Sequence, residues 1–173
     1  MALTFRPSRA CLALLAASTL FASTTAFARD DDDSVAARLG GADGIGAFIQ
    51  ARVVPALLAS ELKVFFTGGV VPLTESTSQT VTCLARLLDH DLGGRSAKNG
   101  SVAVDAAAAP FPVEHQCRSS MSDVHRGMRI TDAQFALFIN IVATEALAAG
   151  VAGDDVQEVG KVLTRYRGSV TNH

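Results

Sequence analysis

The sequence predicts an all-α fold in one domain. Apolar residues recur at three- and four-residue steps along most of the chain. Capping residues and glycine pairs punctuate those runs, and no apolar–polar alternation of the strand type persists beyond four residues. Apolar residues make up 49% of the chain and charged residues 18%, the balance of a globular protein rather than a disordered one. The formal charge of −2 argues against a basic nucleic-acid binder, and with no tryptophan and one tyrosine a stacking platform is absent, so no nucleic-acid partner is expected.

The first 28 residues read as a secretory signal peptide. Arg6 and Arg9 form a positive start, an apolar stretch opens at Cys11, and Ala26, Phe27 and Ala28 make an A-x-A cleavage site. No lipobox cysteine stands at the cleavage point, and no other apolar run approaches the ~18 residues of a membrane span. A periplasmic or secreted product is expected, with no membrane span. Residues 29–33, four of them consecutive aspartates, read as an acidic leader, and residues 34–173 as the folded domain.

From Ser34 the pattern is helical. Ser34 caps a short turn carrying Val35 and Leu39, stopped at Gly40 and Gly41. Asp43 is placed to cap a helix whose apolar face holds Ile45, Phe48, Ile49, Val53 and Leu57, with Pro55 set to kink or end it. A short helix with Leu62, Val64, Phe65 and Phe66 stops at Gly68 and Gly69. Thr74 opens the next helix, with Val81, Leu84, Leu87, Leu88 and Leu92 in register and Gly93–Gly94 as its stop.

Residues 95–116 hold glycine, serine, an alanine run and Pro110 and Pro112 without a sustained period, and read as a surface excursion. Ser119 or Ser120 then caps a short helix bearing Met121, Val124 and His125. Thr131 and Gln134 form a capping box opening a helix through Phe135, Phe138, Ile139 and Val142. Asp154 is placed to cap the last helix, with Val156, Val159, Leu163 and Tyr166 inward.

Two residue types carry chemistry. In an exported chain Cys83 and Cys117 are an even pair, readable as a disulfide or as two buried thiols. No CxxCH occurs, which excludes covalent c-type haem, and the absence of CxxC argues against a zinc knuckle or a dithiol redox site. Of the four histidines, His173 is terminal, His115 lies in the excursion, and His90 sits between aspartates on a polar face. His125 lies between Met121 and Met128 on an apolar helix, where an inward imidazole needs a partner. Spacing alone leaves it open between a satisfied core histidine and a ligand.

The segment Met121 to Thr131 resembles the proximal haem-ligand segment of the truncated haemoglobins, group 1 type. The pattern there is Met, three residues, His, one residue, Gly, two residues, Ile, Thr, and every position is matched. Leu39, Gly40 and Gly41 are similar to the family's opening, Phe65 and Phe66 to the pair ahead of its distal helix, and Gly93 and Gly94 to the pair ending that helix. The resemblance spans roughly residues 35–168.

The resemblance implies a globin-like two-over-two helical sandwich around haem b, with His125 as the iron ligand. Phe66, Thr80, Leu84 and Leu88 fall on positions that wall the cofactor on one side, and Met121, Val124, Ile130 and Phe135 on the other. The family's distal tyrosine falls on Gln50, whose amide can donate a hydrogen bond, so Gln50 and Thr80 are the expected polar groups near a gas ligand. The implied function is reversible binding of oxygen, nitric oxide or carbon monoxide, with a reductase as a possible partner. The alternatives are a haem enzyme (a nitric oxide dioxygenase or a peroxidase-like catalyst) and a haem-free globin-like interaction module. The chain departs from the family in lacking the tyrosine, in carrying Leu84 where glutamine is common, and in the extra length at 95–116.

Overall fold

The computed structural model describes residues 33–97, 101–104, 113–118 and 120–172, with main chain only at 101–104 and 113–115. The expected signal peptide, most of the acidic leader, the side chain of His115 and His173 lie outside the described residues.

The chain opens with α1 (Val35–Arg38), where Ser34 Oγ accepts the amide hydrogen of Ala37. Next come α2 (Gly41–Phe48), a π-helical turn (Ile49–Val53) and α3 (Val54–Leu58), which follow one another as a continuous helical path. Asp43 does not cap α2. The cap is Gly40 at φ 82°, and Asp43 lies within the first turn. Pro55 neither ends nor breaks this path. It has no N–H to give back to the carbonyl four residues earlier, and the wider turn immediately before it absorbs that mismatch.

The short α4 (Lys63–Phe66) precedes α5 (Thr77–Asp91). α5 starts three residues after the expected Thr74, because Ser76 and Gln79 form a reciprocal capping box that fixes its first turn. Its end requires glycine at 94, where a Cβ would lie 2.2 Å from Oδ1 of the buried Asp89.

The excursion at 95–116 is not wholly irregular. Strands β1 (Ser101–Val104) and β2 (Val113–Gln116) pair antiparallel, Ser101 opposite Gln116. Each strand is four residues long, too short for alternation to declare it in the sequence.

Beyond the hairpin lie α6 (Met121–Val124), α7 (Asp132–Ala148), α8 (Gly153–Arg165) and α9 (Arg167–Val170). Ser120 caps α6, and the Thr131–Gln134 box opens α7 as the residue types predict. α8 begins at Gly153 without a side-chain cap, so Asp154 sits in its first turn. There, with Asp155, its charge complements the helix dipole.

α2 packs chiefly on α5 and α7 on α8, the two pairs of a two-over-two sandwich. Val53 and Val162, each 1% exposed, mark the centre of the core. No described helix is long and apolar enough to cross a membrane.

Candidate functional site

His125 is the C-cap of α6. Its Nδ1 lies 2.8 Å from the main-chain carbonyl oxygen of Met121. A carbonyl only accepts, so Nδ1 carries the hydrogen. In the neutral ring that leaves the lone pair on Nε2, the atom that would serve a metal. The i, i−4 spacing also fixes the plane of the ring.

Two residues after His125 the chain turns through Gly127 at φ 82°, a conformation glycine adopts without steric cost. Arg129 is also left-handed, at φ 52°. These two reversals bring Ile130 beside Thr171 in a parallel bridge, and the Asn172 amide donates to the Ile130 carbonyl at 2.9 Å. The C-terminal α9 is thereby tied to the histidine segment.

His125 lines a cavity of about 1320 Å³ of atom-free space, its open mouth included. One wall comes from α4, with Phe65 and Phe66 and its N-cap Leu62, and from α5, with Leu84, Leu87 and Leu88. The facing wall comes from Met121, Val124, Ile130, Phe135 and Phe138. Phe135 and Phe138 lie on one face of α7, their ring centroids 6.5 Å apart. Leu163, Tyr166 and Val170 complete the lining.

All of Phe66, Thr80, Leu84, Leu88, Met121, Val124, Ile130 and Phe135 line this cavity together with His125. Thr80 stands at the exposed edge.

Gln50 does not join them. Its side chain is exposed and lines a separate groove with Ala47, Ser78 and Thr82. The π-helical turn is the reason. A π turn carries one residue more than an α turn, and in this one Ile49 and Val53 face inward while Gln50 faces out. The expectation of Gln50 beside a gas ligand is therefore corrected. Ile49 instead lines a second apolar cavity between α2, α5, α7 and α8, which shares Leu84, Leu88, Phe138 and Leu163 with the first.

Sequence reasoning missed the rim. Cys83 and Cys117 are joined by a disulfide, and both line the cavity. Arg118 follows, its Nε 2.9 Å from Glu75 Oε1 and its terminal nitrogen bonded to the Thr74 hydroxyl. Tyr166 donates its hydroxyl hydrogen to Asp91 Oδ2. The adjacency of Cys117 and Arg118 was the one available signal, and it becomes legible only once the cysteine is known to be bonded to α5.

The arrangement suits a flat apolar macrocycle. Among the described residues no three His, Cys, Asp or Glu side chains gather to hold a bare metal ion. A single imidazole in an apolar slot fits a metal whose remaining donors arrive with a ring. Burial of that ring against aliphatic and aromatic walls would supply most of the affinity.

Solved structures share this architecture. Truncated haemoglobin from Tetrahymena pyriformis, in its Fe(III) form, superposes with a TM-score of 0.59 at 19% identity, covering 81% of this chain and 99% of that one. Two of its point mutants, also in the Fe(III) form, each superpose at 0.61 with 20% identity over the same shares. The fold is that of a truncated haemoglobin. No protein-family model matches the chain, and no curated protein does. Within this truncated-haemoglobin fold the disulfide lines the cavity just ahead of the histidine helix.

Proposed function

We propose that this chain is an exported haem-binding globin of the group 1 truncated type. In this reading His125 holds the iron of haem b through Nε2, and Met121 orients it by accepting the Nδ1 hydrogen. Phe66, Leu84 and Leu88 would pack one face of the ring, and Met121, Val124, Ile130 and Phe135 the other. When bound, the haem supplies reversible binding of a diatomic gas: oxygen, nitric oxide or carbon monoxide.

The observation that carries the reading is the convergence of His125 and the eight wall residues implied by the resemblance on one apolar cavity. The distal wall is aliphatic at Leu84, Leu87 and Leu88, and Thr80 is its only expected polar group now that Gln50 lies elsewhere. That favours a carrier, scavenger or sensor over an oxidative enzyme, which needs a donor to stabilise charge on oxygen. A reductase that returns the iron to the ferrous state belongs to the same proposal. The disulfide supports export, because such bonds persist in oxidising compartments.

Ferric, ferrous and carbonyl absorption spectra of the reconstituted protein and of His125→Ala test the reading. A Soret band in the wild type that is lost or shifted in all three states in the variant is expected. An unaltered ferrous and carbonyl spectrum in the variant would remove His125 from the iron. No Soret band in the wild type would favour a haem-free interaction module.

A further inference from the structure

Residues just beyond the extra segment line the cavity, and their chemistry is specific. Among the described residues that line the cavity, Arg118 contributes the only guanidinium or ammonium group. It is held from three directions. Cys117, one residue before it, is bonded to Cys83 in α5 and is buried. Glu75 sets its Nε at 2.9 Å, and the Thr74 hydroxyl accepts from a terminal nitrogen. A guanidinium has five N–H donors, and these two contacts leave donors for a further anion. The side chain is 38% exposed, so the charge stands at the boundary between apolar wall and water.

We propose that the Cys83–Cys117 disulfide holds Arg118 as a carboxylate anchor at the rim, selecting an amphiphilic ligand with an apolar body and acidic side arms. This rests on the haem reading above: haem b is such a ligand, with two carboxylates on one edge of an apolar ring. The division of labour is physical. The apolar walls recognise the ring, and His125 the metal. Arg118 fixes which edge of the ring points outward, because a carboxylate buried at the far end would lack a partner. The disulfide makes the anchor a fixed group. Without it, Arg118 sits on a chain segment tethered to α5 only through non-covalent contacts, and the geometry of the pair is no longer imposed.

The experiment compares haem b with its dimethyl ester, which keeps ring and iron and removes both negative charges. Loss of each from the full mature chain to excess apomyoglobin is followed by absorption. The wild type is expected to retain haem b longer than the ester. In Arg118→Met, release of haem b should quicken by about three- to tenfold, the range of a half-exposed charge-assisted contact. Release of the ester should not change. Arg118→Gln serves as a second variant if the methionine form folds poorly. In Cys83→Ser/Cys117→Ser the preference for the acid over the ester should fall toward that of Arg118→Met.

Equal release of acid and ester from the wild type, or equal acceleration of both in the Arg118 variants, overturns the anchor while leaving the haem pocket standing. A wild type that binds neither form overturns the anchor and the haem reading together. A preference undiminished in the double serine variant removes the disulfide from the proposal.

Discussion

Ile49 and Gln50 are adjacent in sequence and face opposite environments: Ile49 is 5% exposed against the second cavity, and Gln50 is exposed on an outer groove. The π-helical turn that begins at Ile49 produces this separation. Counting back from Val53 as though the segment were a regular α-helix puts Gln50 one residue out of its true angular position. The amide is thereby removed from the cavity, and what remains near His125 on the distal side is aliphatic.

Gln50→Leu should therefore leave the oxygen dissociation rate of the haem-loaded protein within about twofold of wild type. An amide donating in the pocket would contribute about 0.5–1.5 kcal/mol, a two- to tenfold effect on the rate. Flash photolysis or stopped-flow displacement by carbon monoxide measures it. A severalfold acceleration would place the Gln50 amide in the cavity after all.

Helical periods made the buried faces legible, and the resemblance of the Met121–Thr131 segment implied that they wall a cavity. Leu84 and Leu88 on α5, and Phe135 and Phe138 on α7, are spaced so that one face must be buried. The Thr131–Gln134 box announced the start of α7 by residue type alone. What escaped depends on contacts distant in sequence or on irregular backbone. Spacing already put Ile49 and Val53 inward, but the π turn has no compositional signature, so the outward placement of Gln50 was hidden. The Cys83–Cys117 bond spans 34 positions, and spacing left it open between a bond and two thiols. Asp89 reads as polar surface beside His90, yet it is 4% exposed because its carboxylate accepts the Ser96 amide at 2.8 Å.

Reduction of the disulfide should destabilise the fold markedly. A cross-link closing a sequence separation of 34 removes chain entropy from the unfolded state. In the loop-entropy account this is worth roughly 4 kcal/mol. For a domain of this size that corresponds to a drop in melting temperature on the order of 10 °C. Thermal unfolding followed by circular dichroism, with and without a dithiol reductant, tests it. Cys83→Ser/Cys117→Ser should melt at the reduced temperature and ignore the reductant. A reductant-dependent shift that persists in that variant would assign the effect to something other than this bond.

Acid should release the contact between α1 and α8 through Asp155. Arg38 reaches its carboxylate with the terminal nitrogen at 2.5 Å and with Nε at 3.2 Å from each oxygen. Hydrogen bonding from Arg38 holds the Asp155 carboxyl below its ordinary value of 3.8. Burial opposes this, and the charge of the guanidinium adds to it. A carboxyl depressed in the folded state binds fewer protons there than in the unfolded chain. Its contribution is thus fully present above the ordinary carboxylate range and is lost as pH falls through the lower folded value. Asp155→Asn removes the charge with little change of shape, and should lower the unfolding midpoint at neutral pH. The gap between wild type and variant should hold down to the ordinary carboxylate range and close below it. Asp132, lowered in the same direction by its bond to Arg167, titrates in both proteins and cancels from the difference. Urea unfolding of the two proteins across a series of acidic buffers measures the gap. A gap that stays constant from neutral pH to well below 3.8 would show that Asp155 acts there through packing and not through its charge.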